Sequence, residues 1–284
     1  MTQIDYASLP TVSATINYID ESVKNPEFFL FDPEPNTRPS PPKVDKREMS
    51  IHDVRTCMDL ITLDDNGFSF SSQNLPKLNY EDSEIVKTKY YPVCAELVKT
   101  ETGCKEVYVF DHNVRETGKR KSGIFPPARN AHNDYTNESA PARVMELMAG
   151  RAKELLARRY AFINIWRPLR GPVDTQPLAI CDAKTVEFED FISAHLRYPD
   201  RSGKVFSVKH NQSHRWCYLA AMEEKEIMLI KCFDTAGPEI AKYTAHTSFY
   251  EPEQPTSPIA VSYTHLRAHE TREDRGWRRV REKK

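Results

Sequence analysis

The order of elements predicts a mainly β protein with flanking helices, a double-stranded β-helix (jelly roll). Two observations carry this. The second half of the 284-residue chain runs strand after strand, with Pro-rich turns and little helix. That is the pattern of a sandwich or barrel, not of a doubly wound sheet. In addition, an H-x-D pair, His132 and Asp134, lies several strands ahead of another candidate ligand, His246. A roll brings such distant strands around one cavity.

The elements follow in order. Residues 1–50 are Pro-rich and polar, with Tyr18 and Phe28-Phe29-Leu30-Phe31 as isolated apolar anchors. The prolines from Phe31 to Pro42 exclude a helix or a central strand. This part is expected as an extended arm over a domain surface, or as a disordered leader. A single jelly-roll domain is expected over 51–260. Ile51–Arg55 and Gly67–Phe70 read as short strands separated by the Leu63–Gly67 turn. Glu84–Thr100 has helical apolar spacing, with Pro92 suited to its first turn and Gly103 placed to end it. Lys105–His112 alternates as a strand. Ser139–Met148 reads as a helix opened by a Ser cap, and Arg151–Arg158 as a second helical piece. Ala161–Trp166 is the clearest strand, with Ile163 and Ile165 on one face and Trp166 on the other. Leu178–Cys181, Lys204–Val208, Arg215–Leu219, Ile227–Phe233 and Thr244–Phe249 complete the series.

Composition bounds the function. Hydrophobic residues make up 39%, enough for a core, and 20 Pro against 9 Gly favour stiff connections over flexible linkers. No run approaches a membrane-spanning length, and Met1–Asp5 does not read as a signal peptide. The six cysteines are scattered with no C-x-x-C. They are expected as buried thiols in a reducing, cytoplasmic compartment, and a Cys-based zinc site has no support. The net charge of −1 is uneven. His265–Lys284 holds eight Arg/Lys and four Asp/Glu, a net of +4, which leaves −5 elsewhere.

The chemistry points to Ala131-His132-Asn133-Asp134 and Ala245-His246-Thr247. Two imidazoles and a carboxylate are the facial ligand set of non-haem Fe(II) oxygenases. On extended backbone, residues i and i+2 point the same way, so His132 and Asp134 can reach one ion. The spacing alone is also met by a surface loop, since about one H-x-[DE] arises by chance in such a composition.

The surrounding text is more specific. Phe110-Asp-His-Asn-Val-Arg115, the His132/Asp134 segment, Asn164-Ile-Trp-Arg-Pro-Leu169, Pro177-Leu-Ala-Ile-Cys-Asp182, His214-Arg-Trp-Cys-Tyr218, Lys231-Cys-Phe-Asp-Thr235 and His246-Thr-Ser-Phe249 occur in this order. Over about residues 12–258 the chain resembles the fungal hydroxylase/desaturase family that includes gibberellin desaturase-like and CmcJ/NvfI-type oxidoreductases. The resemblance implies an Fe(II)/2-oxoglutarate-dependent oxygenase using O2 on a small natural product, with no nucleic-acid or membrane partner. It carries His132, Asp134 and His246 over as iron ligands and catalytic centre.

The end of the chain departs from the family. There the distal His is followed by a strand reading like R-E-S-I-E-V-R, whose Arg is the expected partner of the 2-oxoglutarate carboxylate. Here Pro255–Ala260 is followed by Val261-Ser-Tyr-Thr-His-Leu-Arg-Ala-His-Glu-Thr271. This text resembles translated sequencing-adapter read-through. Residues 261–284 are therefore expected as a non-native tail, a loose extension or exposed helix, with the last native strand missing; a genuine basic tail is the alternative. Asn164, Trp166 and Arg167 are the remaining candidates for the cosubstrate. Arg167 is also a candidate for an ion pair with Asp182 or Asp234, and Trp166 for core packing. His112 reads as outside the ligand set, Arg115 and Arg129 as flanking the cavity, and His210 and His214 as loop residues. Two rival functions stay open: a metal-binding jelly roll without turnover, and a sugar- or protein-binding sandwich without metal.

Overall fold

The computed structural model describes residues 4–30, 40–115, 126–173 and 175–250, and the backbone of 124–125, 263–264 and 266–272. Its strands are β1 (Thr11–Ile19), β2 (Glu27–Phe29), β3 (Val44–Asp53), β4 (Phe68–Ser72), β5 (Glu106–Val109), β6 (Val114–Arg115), β7 (Ile124–Phe125) and β8 (His132–Asn133). They continue as β9 (Arg159–Trp166), β10 (Leu178–Cys181), β11 (Phe191–Arg197), β12 (Ser202–Val208), β13 (Trp216–Tyr218) and β14 (Glu226–Asp234). The last three are β15 (His246–Ser248), β16 (Tyr263–Thr264) and β17 (Leu266–Arg272). A nine-stranded sheet runs β1-β3-β13-β10-β15-β8-β12-β11-β2, and a five-stranded sheet runs β4-β14-β9-β17-β5. The jelly-roll expectation holds. No helix among the described residues is long and apolar enough to cross a membrane.

The principal helix begins as α1 (Ser83–Ile85), capped by the Asp82 carboxylate, passes through one π turn at Val86–Tyr90 and continues as α2 (Tyr91–Thr102). Pro92 sits in the first turn of α2, and Gly103 ends it in the left-handed region at φ 65°, where a side chain would be strained. The next helices are α3 (Ser139–Leu147) and α4 (Ala152–Leu156). The expected Ser139 cap is replaced by a pair: the Thr136 hydroxyl accepts from the Glu138 and Ser139 amides, and the Ser139 hydroxyl accepts from the Thr136 amide.

Strand β9 is buried on both faces. Ala161, Ile163 and Ile165 pack into the apolar layer under α2, while Phe162 and Trp166 enter the main core between the sheets. The alternation expected of this strand is thus present.

Two stretches differ from the sequence reading. Within residues 1–50, β1 pairs with β3 along its whole length, from Thr11–His52 to Ile19–Val44. The prolines that suggested an arm cluster between these strands; Pro33, Pro35 and Pro39 lie outside the described residues, and Pro41 and Pro42 lead directly into β3. The second is the tail. The backbone of β17 lies between β9 and β5, paired from Leu266–Ile165 to Arg272–Arg159, where a loose extension or exposed helix was expected. An uncovered edge of β9 offers a row of unmet donors and acceptors, and extended backbone of almost any sequence satisfies it. Strand β11, unread in the sequence, pairs with β12 along its length.

Candidate metal centre

His132 and His246 are cross-strand partners on β8 and β15, in the middle of the large sheet. Their rings lie 4.5 Å apart between centroids. Asp134 follows two residues after His132. His132 Nε2 stands 3.6 Å from Asp134 Oδ1, and His246 Nε2 stands 3.9 Å from Asp134 Oδ2. One ligand atom from each of the three falls within 4.8 Å of the others.

The other ring nitrogens are occupied by backbone. His132 Nδ1 donates to the Asn130 carbonyl at 2.8 Å, and His246 Nδ1 to the Thr244 carbonyl at 2.9 Å. That assignment of the proton leaves the Nε2 lone pairs facing the carboxylate, the tautomer a metal requires. Burial, and then the neighbouring His246, push the His132 pKa down to about 4 against the pull of Asp134. His132 is therefore a neutral ligand at neutral pH. Two imidazoles and one carboxylate fit a divalent first-row ion such as Fe(II).

Residues that the sequence reading passed over hold this arrangement. Asn133 is fully buried between the two H-x-D residues. Its amide donates to the carbonyls of Tyr135 and Cys232, and its Oδ1 accepts from the Thr244 amide. One side chain thus ties the loop of Asp134 to β14 and to the approach of His246. Gly67, at φ 81°, supplies the carbonyl that accepts from the Thr244 hydroxyl. A Cβ on Gly67 would stand 2.2 Å from Thr244 Oγ1. The sequence signal was present only as a turn ending in Gly.

The remaining candidates separate by face of β9. Asn164, expected at the cosubstrate, donates to Asp134 Oδ2 at 2.5 Å. Trp166 is buried in the main core. Arg167 departs from expectation in both respects. It lies on the α2 side, with its guanidinium over the rings of Tyr80 and Tyr90 at 5.4 and 5.2 Å. It donates to Tyr80 Oη and to the Glu224 carbonyl, and lines a cleft of about 710 Å³ there. Asp234 is instead held by Arg159 and Lys231, and Asp182 by Tyr6, Asn66 and Arg215. Strand alternation is the reason: residue 167 is odd-numbered with Ile163 and Ile165, so it shares their face.

His112 bonds Tyr91 through Nδ1 and stands apart from the triad. Arg115 donates to the Pro126 carbonyl, and Arg129 stacks over Tyr250 at 3.8 Å. His214, expected as a loop residue, is buried between Asp190 and the Tyr18 hydroxyl.

A jelly roll with two imidazoles and a carboxylate converging between its sheets defines the class of iron-dependent oxygenases. Residues 16–262 match the family model described as oxidoreductase/YMDC permease-like domain. The chain is 28% identical over 243 residues to the Fe(II)/2-oxoglutarate-dependent dioxygenase nvfI of Aspergillus novofumigatus, covering 83% of this chain and 87% of that protein. It is 30% identical over 258 residues to the alpha-ketoglutarate-dependent dioxygenase tstK of Talaromyces stipitatus, covering 81% and 91%. A solved structure of the iron and alpha-ketoglutarate-dependent endoperoxidase NvfI superposes with TM-score 0.86 at 25% identity, over 93% of this chain and 98% of that one. The chain belongs to this family of Fe(II)/2-oxoglutarate-dependent hydroxylases, desaturases and dioxygenases. Its cofactors are Fe(II) and 2-oxoglutarate, and it acts with O2 on a small molecule.

Proposed function

We propose that His132, Asp134 and His246 bind one Fe(II), and that the chain hydroxylates or desaturates a fungal natural product. One observation carries the ligand assignment: two imidazoles with Nδ1 committed to backbone carbonyls present both Nε2 atoms to one carboxylate. Bound there, Fe(II) and 2-oxoglutarate would supply the electrons that activate O2 for attack on a C–H bond. The chain's own part is to hold and to exclude. The backbone bonds fix the ring planes. Asp134 supplies the negative charge. Tyr135, stacked on Phe162 at 4.1 Å, and Phe206 belong to the apolar core between the sheets, which keeps bulk water out.

A family-like last strand would bring the Arg that grips the far carboxylate of 2-oxoglutarate. Here the register position opposite Asn164 belongs to Arg267 of β17. We propose that residues 261–284 are a non-native tail and that turnover depends on how well β17 replaces the family strand. A cytoplasmic location is proposed as well; six free cysteines, five of them buried, support a reducing compartment.

The test is anaerobic titration with Fe(II), followed by 2-oxoglutarate decarboxylation in air. Stoichiometric binding with succinate release is the expected result. Binding without succinate, restored by a family-like last strand, would identify a metal-binding jelly roll disabled by its tail. No binding would overturn the assignment.

A further inference from the structure

We propose that Asn164 is a positioning residue that fixes the orientation in which the Asp134 carboxylate meets the metal. The inference deepens the iron-site reading above and rests on it.

The sequence context is the first argument. Asn is disfavoured inside strands, yet Asn164 sits between Ile163 and Ile165 near the end of β9, fully buried. Packing alone would place an apolar residue there. Its backbone is held on both sides, opposite Ile230 of β14 and Arg267 of β17, so the amide has little freedom to move. Its Nδ2 reaches Asp134 Oδ2 at 2.5 Å. That orientation is dictated by chemistry, because the amide oxygen would repel the carboxylate.

The second argument is what the amide leaves unmet. Among the described residues, the buried Asn164 Oδ1 has no hydrogen-bond partner. A buried amide with an unmet acceptor costs stability, so its retention is explained by the bond that its other end makes.

The third is geometry at the carboxylate. Oδ2 accepts from Asn164 and, at 3.7 Å, from the Cys232 thiol. The same carboxylate turns Oδ1 toward His132 Nε2 at 3.6 Å and Oδ2 toward His246 Nε2 at 3.9 Å. A carboxylate anchored through Oδ2 is held in one rotation about its Cβ–Cγ bond. The small sheet, through Asn164 of β9 and Cys232 of β14, therefore orients a carboxylate that follows a strand of the large sheet. Groups that orient a ligand in this way typically change metal affinity about 10- to 100-fold when removed.

The experiment uses the full chain with Co(II), read by calorimetry and by visible cobalt absorbance, with melting curves for each variant. Wild type is expected to bind one Co(II) and Asp134→Ala to bind none. Asn164→Leu is expected to weaken binding about 10- to 100-fold and to alter the cobalt bands, which report ligand number and geometry, as the carboxylate turns. Should Asn164→Leu fail to melt cooperatively, Asn164→Ala, which cannot clash, carries the same expectation. Cys232→Ala is expected to change affinity only a few-fold. Binding within twofold of wild type and unchanged bands in the folded Asn164 variants would overturn the positioning role alone. A wild type that takes up no Co(II) would overturn the iron-site reading beneath it.

Discussion

Two histidine–aspartate groups in this protein use the same residue types in opposite ways. His214 bonds Asp190 directly through Nε2 at 3.1 Å and reaches the Tyr18 hydroxyl through Nδ1, so both ring nitrogens face protein side chains. His132 and His246 give Nδ1 to backbone carbonyls and keep Nε2 at 3.6 and 3.9 Å from Asp134. The first spacing closes a hydrogen bond; the second is too long for one and fits an ion among the three. Distance and the partner of Nδ1, more than residue type, tell a structural histidine from a metal ligand.

The largest expected effects cross between these groups. His132→Ala, Asp134→Ala or His246→Ala should each reduce Fe(II) or Co(II) affinity by more than about 100-fold, with little loss of stability in the metal-free protein. His214→Ala should do the reverse, destabilising the fold by about 1–3 kcal/mol with Co(II) affinity retained. Calorimetry and urea unfolding on the same four proteins check both halves. Metal binding lost in His214→Ala but kept in His246→Ala would dissolve the distinction.

A third buried aspartate sharpens the contrast. Burial alone would raise the Asp234 carboxyl, but Arg159 and Lys231 outweigh it and hold it below its ordinary value of 3.8. Its folded value is depressed, so its stabilising contribution is complete above 3.8 and is lost as the pH falls through the lower folded value. Asp234→Asn should cost about 3–5 kcal/mol near neutral pH, since it leaves buried Lys231 without this counter-charge. It should also flatten the acid limb of the urea midpoint against pH; an unchanged acid limb would remove Asp234 from that role.

Gly67→Ala tests the support of His246. The added methyl meets Thr244 and the backbone is left-handed, so a loss of about 1–3 kcal/mol is expected, together with weaker Co(II) binding as Thr244 shifts. Full affinity in a destabilised Gly67→Ala would show that the Thr244 carbonyl does not set the ring of His246.

The smallest effect on the centre is expected at the tail. Removing residues 261–284 strips β17 from between β9 and β5 and opens two edges to pairing with other chains. Light scattering should show self-association, while Co(II) binding by the three ligands persists. A monodisperse protein after removal would mean that β17 contributes nothing to covering those edges.

Much of this was legible before folding, for identifiable reasons. Strands such as β9 and β14 announce themselves because their periods and lengths are local properties. The Gly103 stop of the main helix is equally local. The pair His132 and Asp134 was readable because i and i+2 share a face whatever the rest of the chain does. Strand β1 escaped, because prolines further along coloured the whole region. So did β11, whose Ser-Ala-His core lacks strong alternation.

Arg167 shows the limit more sharply. Its charge amid apolar residues was visible, but its partners are two tyrosines from the α2 side and a distant carbonyl. The sequence by itself determined the strand-rich class, the helix boundaries and the ligand types, because each depends on residues within a few positions. Only the tertiary structure decided that His246 pairs with His132, that Asn133 bonds the approach to His246 and Asn164 bonds Asp134, and that β17 enters the small sheet. Those contacts join residues 30 to more than 100 positions apart, and no local pattern encodes which distant partner a buried polar group will meet.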